Sequence, residues 1–182
     1  MRWEGLFADL EGQLVAEERR ELDSEVAERT RRERALVDLG SRAAAALGTV
    51  VGVVLVGGRA LDGELRDVGD GWLLLGTSAG EALVPQPALV AVTGLTSAAD
   101  QARGARTARR FGLGSALRAL ARDRATVGVD VGDLRVVGTV DFVGADHLVV
   151  AEHPEGEPRR RENVRRHVTV PTGALRCVEA RR

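Results

Sequence analysis

Arginine is the residue type here with the most evident chemistry. All 26 Lys/Arg side chains are arginine; lysine is absent. Seven of them, Arg103, Arg106, Arg109, Arg110, Arg118, Arg122 and Arg124, fall within residues 101–124 beside one acid, Asp123, a local charge of +6. A second set, Arg159, Arg160, Arg161, Arg165 and Arg166, is diluted by Glu155, Glu157 and Glu162. Guanidinium groups grouped this way meet phosphates bidentately. The affinity they lend to nucleic acid depends on salt and hardly on base sequence. RNA or DNA is therefore one expected partner. The competing expectation is a solvated linker and a flexible hairpin tip, because Phe111 alone could stack a base nearby.

Other chemistry is thin. His147, His153 and His167 match no ligand spacing and have no accompanying cysteine or convergent acid, so no metal is expected. Gly112-Leu113-Gly114 opens like a dinucleotide fingerprint, but the third glycine and the preceding strand are missing. The lone Cys177 cannot form an internal disulfide and fits a reducing cytoplasm; its place in an apolar strand predicts a buried, inert thiol. No nucleophile–base arrangement, phosphate loop or catalytic pair of carboxylates is present. The expected protein is not an enzyme and carries no cofactor.

The elements that must position these arginines begin with a charged N-terminal stretch. From about Glu4 to Leu39 only Gly12 opposes helix, and Trp3, Leu6, Phe7, Leu10 and Leu14 recur at helical spacing. Glu25/Arg29 and Glu28/Arg32 add i,i+4 pairs. The expectation is one long helix, roughly 50 Å at 1.5 Å per residue, solvated or available for self-pairing. No segment is long and apolar enough to span a membrane, and Glu4, Asp9 and Glu11 argue against a signal peptide.

After Gly48 the text changes to short β-branched and apolar runs separated by Gly57-Gly58, Gly69-Asp70-Gly71 and Gly80. It then returns. An offset of 75 places Val54, Val56, Gly57, Gly63, Val68, Gly69 and Leu73 on Val129, Val131, Gly132, Gly138, Val143, Gly144 and Leu148. An offset of 86 places Val84, Pro85, Ala88, Leu89 and Val92 on Val170, Pro171, Ala174, Leu175 and Val178. The difference is an 11-residue insertion within residues 152–167 of the second copy. Matching glycines at matching turns indicate a duplication. Between the copies, Ser115 to about Asp123 reads as a short helix with Ser115 as N-cap. Trp72 is expected to pack against a capping helix.

The repeated text resembles the Sm-like family, which comprises Sm and LSm proteins and the bacterial host-factor RNA chaperone. In the first copy it reads Leu55-Val56-Gly57-Gly58-Arg59-Ala60-Leu61-Asp62-Gly63-Glu64-Leu65, then Val68, Trp72–Leu75 and a closing Val84-Pro85-x-x-Ala88-Leu89. SH3-like small barrels share this rhythm, as does the PRC-type barrel. The resemblance implies a mainly β fold with helices: a long N-terminal helix (1–48), a first Sm-like five-stranded barrel (49–95), an Arg-rich linker with a short helix (96–125), and a second barrel (126–180) with an inserted hairpin at 152–167. Glycine in mid-strand, at Gly63 and Gly138, permits the bend that closure needs. The family's base-reading Asp and Asn fall on Gly69 and Leu73, and on Gly144 and Leu148. Its basic pair falls on Gln86-Pro87 and Thr172-Gly173. The usual uridine pocket is therefore not expected. Edge-to-edge joining, common in the family, implies the second class of partner: another copy, or a protein held by the barrel edges and N-terminal helix.

Overall fold

The computed structural model describes residues 17, 19–20, 22–32, 35–100 and 111–181, in two compact units, 1–38 and 39–182. In the first unit residues 22–32 are helical (α1), and the Arg32 guanidinium donates to Glu28 at 2.6 Å, as the i,i+4 spacing predicts. The single long helix is corrected. The chain turns at Leu36 and a separate helix, α2, runs Leu39–Ala45. Beyond Leu22 and Val26 the apolar stripe is too sparse to sustain a long helix, which nucleates at a cost and draws most of its stability from packing. Trp3 to Val15 lies outside the described residues.

In the second unit, α2 precedes β1 (Val50–Leu55), β2 (Ala60–Gly69), β3 (Trp72–Thr77), β4 (Gly80–Pro85), a 3-10 turn (Gln86–Ala88) and β5 (Leu89–Thr93). Helix α3 (Leu113–Asp123) then precedes β6 (Thr126–Val131), β7 (Leu134–Val143), β8 (His147–Glu152), β9 (Arg166–Pro171), a 3-10 turn (Thr172–Ala174) and β10 (Leu175–Arg181). Helix α3 starts two residues before Ser115, with Gly112 at its N-cap position and no side-chain cap.

Two separate closed barrels are also corrected. All ten strands form one antiparallel sheet in the order β5-β1-β2-β3-β4-β10-β6-β7-β8-β9. Strand β4 gives its second edge to β10, pairing Leu83 with Val178, Ala82 with Glu179, Glu81 with Ala180 and Gly80 with Arg181. The physical reason lies in the cores. Small units of this kind bury a limited share of their surface, and each half borrows from the other. Cys177 of β10 is buried among Val51, Val53, Leu55, Leu65 and Leu75, while Trp72 and Leu83 are buried among Leu117, Val129, Leu148 and Val178. Pairing β4 with β10 satisfies two strand edges as it fuses the cores.

Within that sheet the two offsets recur in the backbone of β2, β3 and β5, while β1 corresponds to β6 at 76, since Val51 pairs with Gly63 and Val127 with Gly138. The bulge that skips Arg66 between β2 and β3 falls 75 residues before the one that skips Asp141 between β7 and β8. The bulge that skips Val90 between β1 and β5 falls 86 residues before the one that skips Arg176 between β6 and β10. The tight link from β3 to β4, Ser78-Ala79, is replaced by residues 153–165 between β8 and β9, which form turns and carry no strand. The expected inserted hairpin is thus a loop between strand ends.

Candidate interaction edges

A cluster of four charged side chains sits where the two five-strand sets meet. Arg59, just before β2, donates to Asp130 on β6 and, at 2.5 Å, to Glu179 on β10. Arg135 on β7 donates to the same two carboxylates at 2.8 and 2.6 Å. Both acids are largely buried, with side chains 13% and 14% exposed, while each arginine is 39% exposed. Desolvation works against the Arg135 charge, but the hydrogen bonds and charges of Glu179 and Asp130 outweigh it and hold its pKa above the ordinary value. Cys177 lies nearby, fully buried; burial first, then the charges of Glu179 and Asp130, push its thiol up to about 12. It is an inert core residue, as its strand position predicts. Sequence reasoning missed this four-charge clasp. Its one legible part is Asp130 and Arg135 flanking the tight turn at Gly132-Asp133, which brings them to paired positions.

The arginines singled out for phosphate divide into three groups. Arg103, Arg106, Arg109 and Arg110 lie outside the described residues. Arg124, Arg159 and Arg166 are held by carboxylates: Arg159 clamps Asp141 through Nε at 2.7 Å and a second nitrogen, Arg124 stands 4.0 Å from Asp141, and Arg166 pairs with Glu152. The Arg159 hydrogen bond holds the Asp141 carboxyl below the usual carboxylate range, with the charges of Arg159, His167 and Arg124 adding to it. Arg118, Arg122, Arg160, Arg161 and Arg165 have no ion pair among the described residues. Arg118 and Arg122 line a groove of about 500 Å³ between α3 and strands β3, β4 and β10, floored by Trp72, Leu74, Leu83 and Leu120. Trp72 is buried against this helix as its position predicts, and its indole N–H donates to the Phe111 carbonyl at 2.8 Å.

The histidines do not converge. His147 pairs with Asp146, His167 stands 3.4 Å from Asp141, and buried His153 bonds Thr139 and the Pro154 carbonyl. Leu73 and Leu148, at the positions where the Sm-like resemblance puts a base-stacking residue, are buried in the two cores.

The outer edges of the sheet are β5 and β9. Val90 on β5 is 65% exposed, and β9 shows Arg166, His167, Thr169 and Pro171 to solvent. No helix among the described residues is long and apolar enough to cross a membrane. No protein-family model, curated protein or solved structure matches the chain.

Proposed function

We propose that this chain is a non-catalytic assembly scaffold that joins copies of itself through the two free edges of its sheet. The observation that carries this reading is the β4–β10 joint. There, the fourth strand of one half pairs with the fifth strand of the other. Among the described residues, what remains open is the fifth strand of the first half, β5, and the fourth strand of the second, β9. The offset of 86 maps the pair Leu83–Val178 onto Thr169 and Val92, and the pair Ala82–Glu179 onto Val168 and Thr93. The same joint can therefore be made between β9 of one copy and β5 of the next. Such a head-to-tail contact closes into a ring or runs on as a chain. The shared offsets and bulges also support descent of both halves from one duplicated unit of the Sm-like kind, here fused into one sheet.

Full-length Val92→Cys/Thr169→Cys protein should form intermolecular disulfides on mild oxidation, giving a ladder of multimers on non-reducing gels. Cys177 contributes little background because it is buried. Light scattering of the unmodified chain should give masses above the monomer. A monomer at every concentration, with no ladder, rejects the reading.

A second reading, phosphate contact, is favoured by Arg118, Arg122, Arg160, Arg161 and Arg165, which have no ion pair among the described residues. It predicts filter retention of mixed RNA or DNA at low salt, falling steeply as salt rises. Absence of retention at low salt removes it.

A further inference from the structure

The inner joint, between β4 and β10, contains a gap where the outer joint proposed between copies sets a cation; the comparison rests on the assembly reading above. A cavity of about 270 Å³ lies between Gly80, at the start of β4, and the side chains of Arg135 and Glu179. The Arg135 guanidinium lies over Gly128, the residue of β6 that pairs with Glu179. The offset of 86 carries these places to the outer joint. There Arg166 of one copy stands where Gly80 does, and Thr93 of the next stands where Glu179 does. Gly52 pairs with Thr93 as Gly128 pairs with Glu179. Over Gly52, however, lies a carboxylate: a Cβ on this glycine would stand 2.8 Å from the Asp62 Oδ1 and 2.6 Å from the Thr93 Oγ1. Asp62 and Thr93 are exposed, and Asp62 has no ion pair among the described residues.

We infer that Arg166 of one copy binds Asp62 of the next, and that this ion pair sets the direction in which copies join. Arg166 is 71% exposed and holds its own Glu152 through Nε, which leaves the two terminal nitrogens of the guanidinium for a second carboxylate. Arg135 spans two carboxylates in the same manner at the inner joint. The backbone leaves room for the contact. Arg166 arrives just beyond Thr93, the last residue of β5, where Gly94 has φ +86° and Leu95 packs against the first core. Two other charges lie close. His167, in the place of Glu81, lies on the opposite face of β9 and stands 3.4 Å from its own Asp141. Glu64, two residues along β2 from Asp62, adds negative charge to the same face and stands 3.9 Å from Arg66. The four-charge clasp itself has no copy between chains: by the strand pairings, Val54 and Ala60 hold the places of Asp130 and Arg135, and Leu134 follows the turn as Arg59 does. The β9 edge therefore brings a cation and the β5 edge holds an acid. Joining like edges, β9 to β9 or β5 to β5, leaves both charges without this partner. The partner is a second copy of this chain, met head to tail.

The test mixes copies. Full-length Asp62→Arg and Arg166→Glu chains are sized by light scattering, each alone and then together. Alone, each variant sets like charges across every joint and should associate at least about tenfold more weakly than the unmodified chain at low salt. In an equimolar mixture every joint between unlike chains carries opposite charges, so the mass should return to that of the unmodified assembly. Raising salt should weaken the unmodified assembly and narrow its lead over either variant. Asp62→Arg breaks no ion pair among the described residues and should melt as the unmodified chain does. Its weaker association therefore decides the matter even where Arg166→Glu, parted from Glu152, loosens its own edge. The inference is overturned if Asp62→Arg alone assembles as well as the unmodified chain, or if the mixture of two folded variants stays apart. A Val92/Thr169 cross-link that forms alongside either result leaves the assembly reading standing and rejects this one. An unmodified monomer rejects both.

Discussion

Gly138→Ala should lower the melting temperature by roughly 6–12 °C, corresponding to about 3 kcal/mol in a chain of this size. A Cβ at Gly138 would sit 2.8 Å from the Ala151 carbonyl carbon, closer still to its oxygen, and 2.9 Å from the Glu152 Cα. Every one of these atoms is backbone, so no side-chain rotation relieves the clash. Relief requires β7 and β8 to separate where Gly138 pairs with Glu152 and Thr139 with Ala151. That separation would disturb the ladder beside buried Val140 and Val150. Gly63 makes the matching approach, with its Cβ 2.6 Å from the Gly76 oxygen, 75 residues before Ala151. Gly63→Ala should therefore destabilise in the same direction but by less. Gly173→Ala is the control: nothing lies within 4 Å of its Cβ and its φ is negative. Calorimetric or circular-dichroism melts decide the matter. If Gly138→Ala melts within about 1 °C of Gly173→Ala, close strand approach is not the reason for glycine at this position.

The two glycines also mark what the sequence makes legible. Turns announced by glycine, strands announced by β-branched runs, and the two offsets all correspond to local backbone, which near neighbours dictate. Trp72 to Leu75 lies within β3, and Gly69-Asp70-Gly71 turns β2 into β3. An echo that could have been read is Leu39-Gly40-Ser41 against Leu113-Gly114-Ser115, 74 residues apart, which opens the helix before each set of five strands. What could not be read is which edge β4 would choose. Closing on β5 or pairing with β10 uses the same alternating pattern, and the choice rests on how Trp72, Leu83 and Cys177 share volume between the cores. The arginines show the same limit. Composition counts Arg159 and Arg166 as available cations, whereas the bulge at Asp141 and the end of β8 at Glu152 supply their counter-charges. The groove beside α3 is likewise a product of the fused sheet, since its walls come from β3, β4 and β10 together.

Arg59→Glu should be the most damaging single change at the inner joint. Asp130 and Glu179 lie on neighbouring strands, since Asp130 pairs with Cys177 two residues before Glu179, and both carboxylates are mostly shielded from water. Two guanidiniums offset them; Arg59→Glu removes one and brings a third negative charge into the same space. Arg59 is more than a third exposed, so solvent screens part of this cost. About 2 kcal/mol remains a fair expectation, lowering the melting temperature by roughly 4–8 °C. Arg59→Met should cost less, because it removes the charge without adding repulsion and keeps an apolar stem. Two further signs separate a charge effect from general damage. The gap between Arg59→Glu and the unmodified chain should narrow as salt screens the repulsion. Arg59→Glu/Glu179→Arg should recover most of the loss, because it restores opposite charges between the start of β2 and β10. Hydrogen exchange places the effect: amides of β4 and β10 should open first in Arg59→Glu, while β7 and β8, paired to each other and buried around Leu148, stay protected. Equal loosening of all ten strands, or no recovery in the charge-swapped pair, would mean that these four side chains do not hold the halves together.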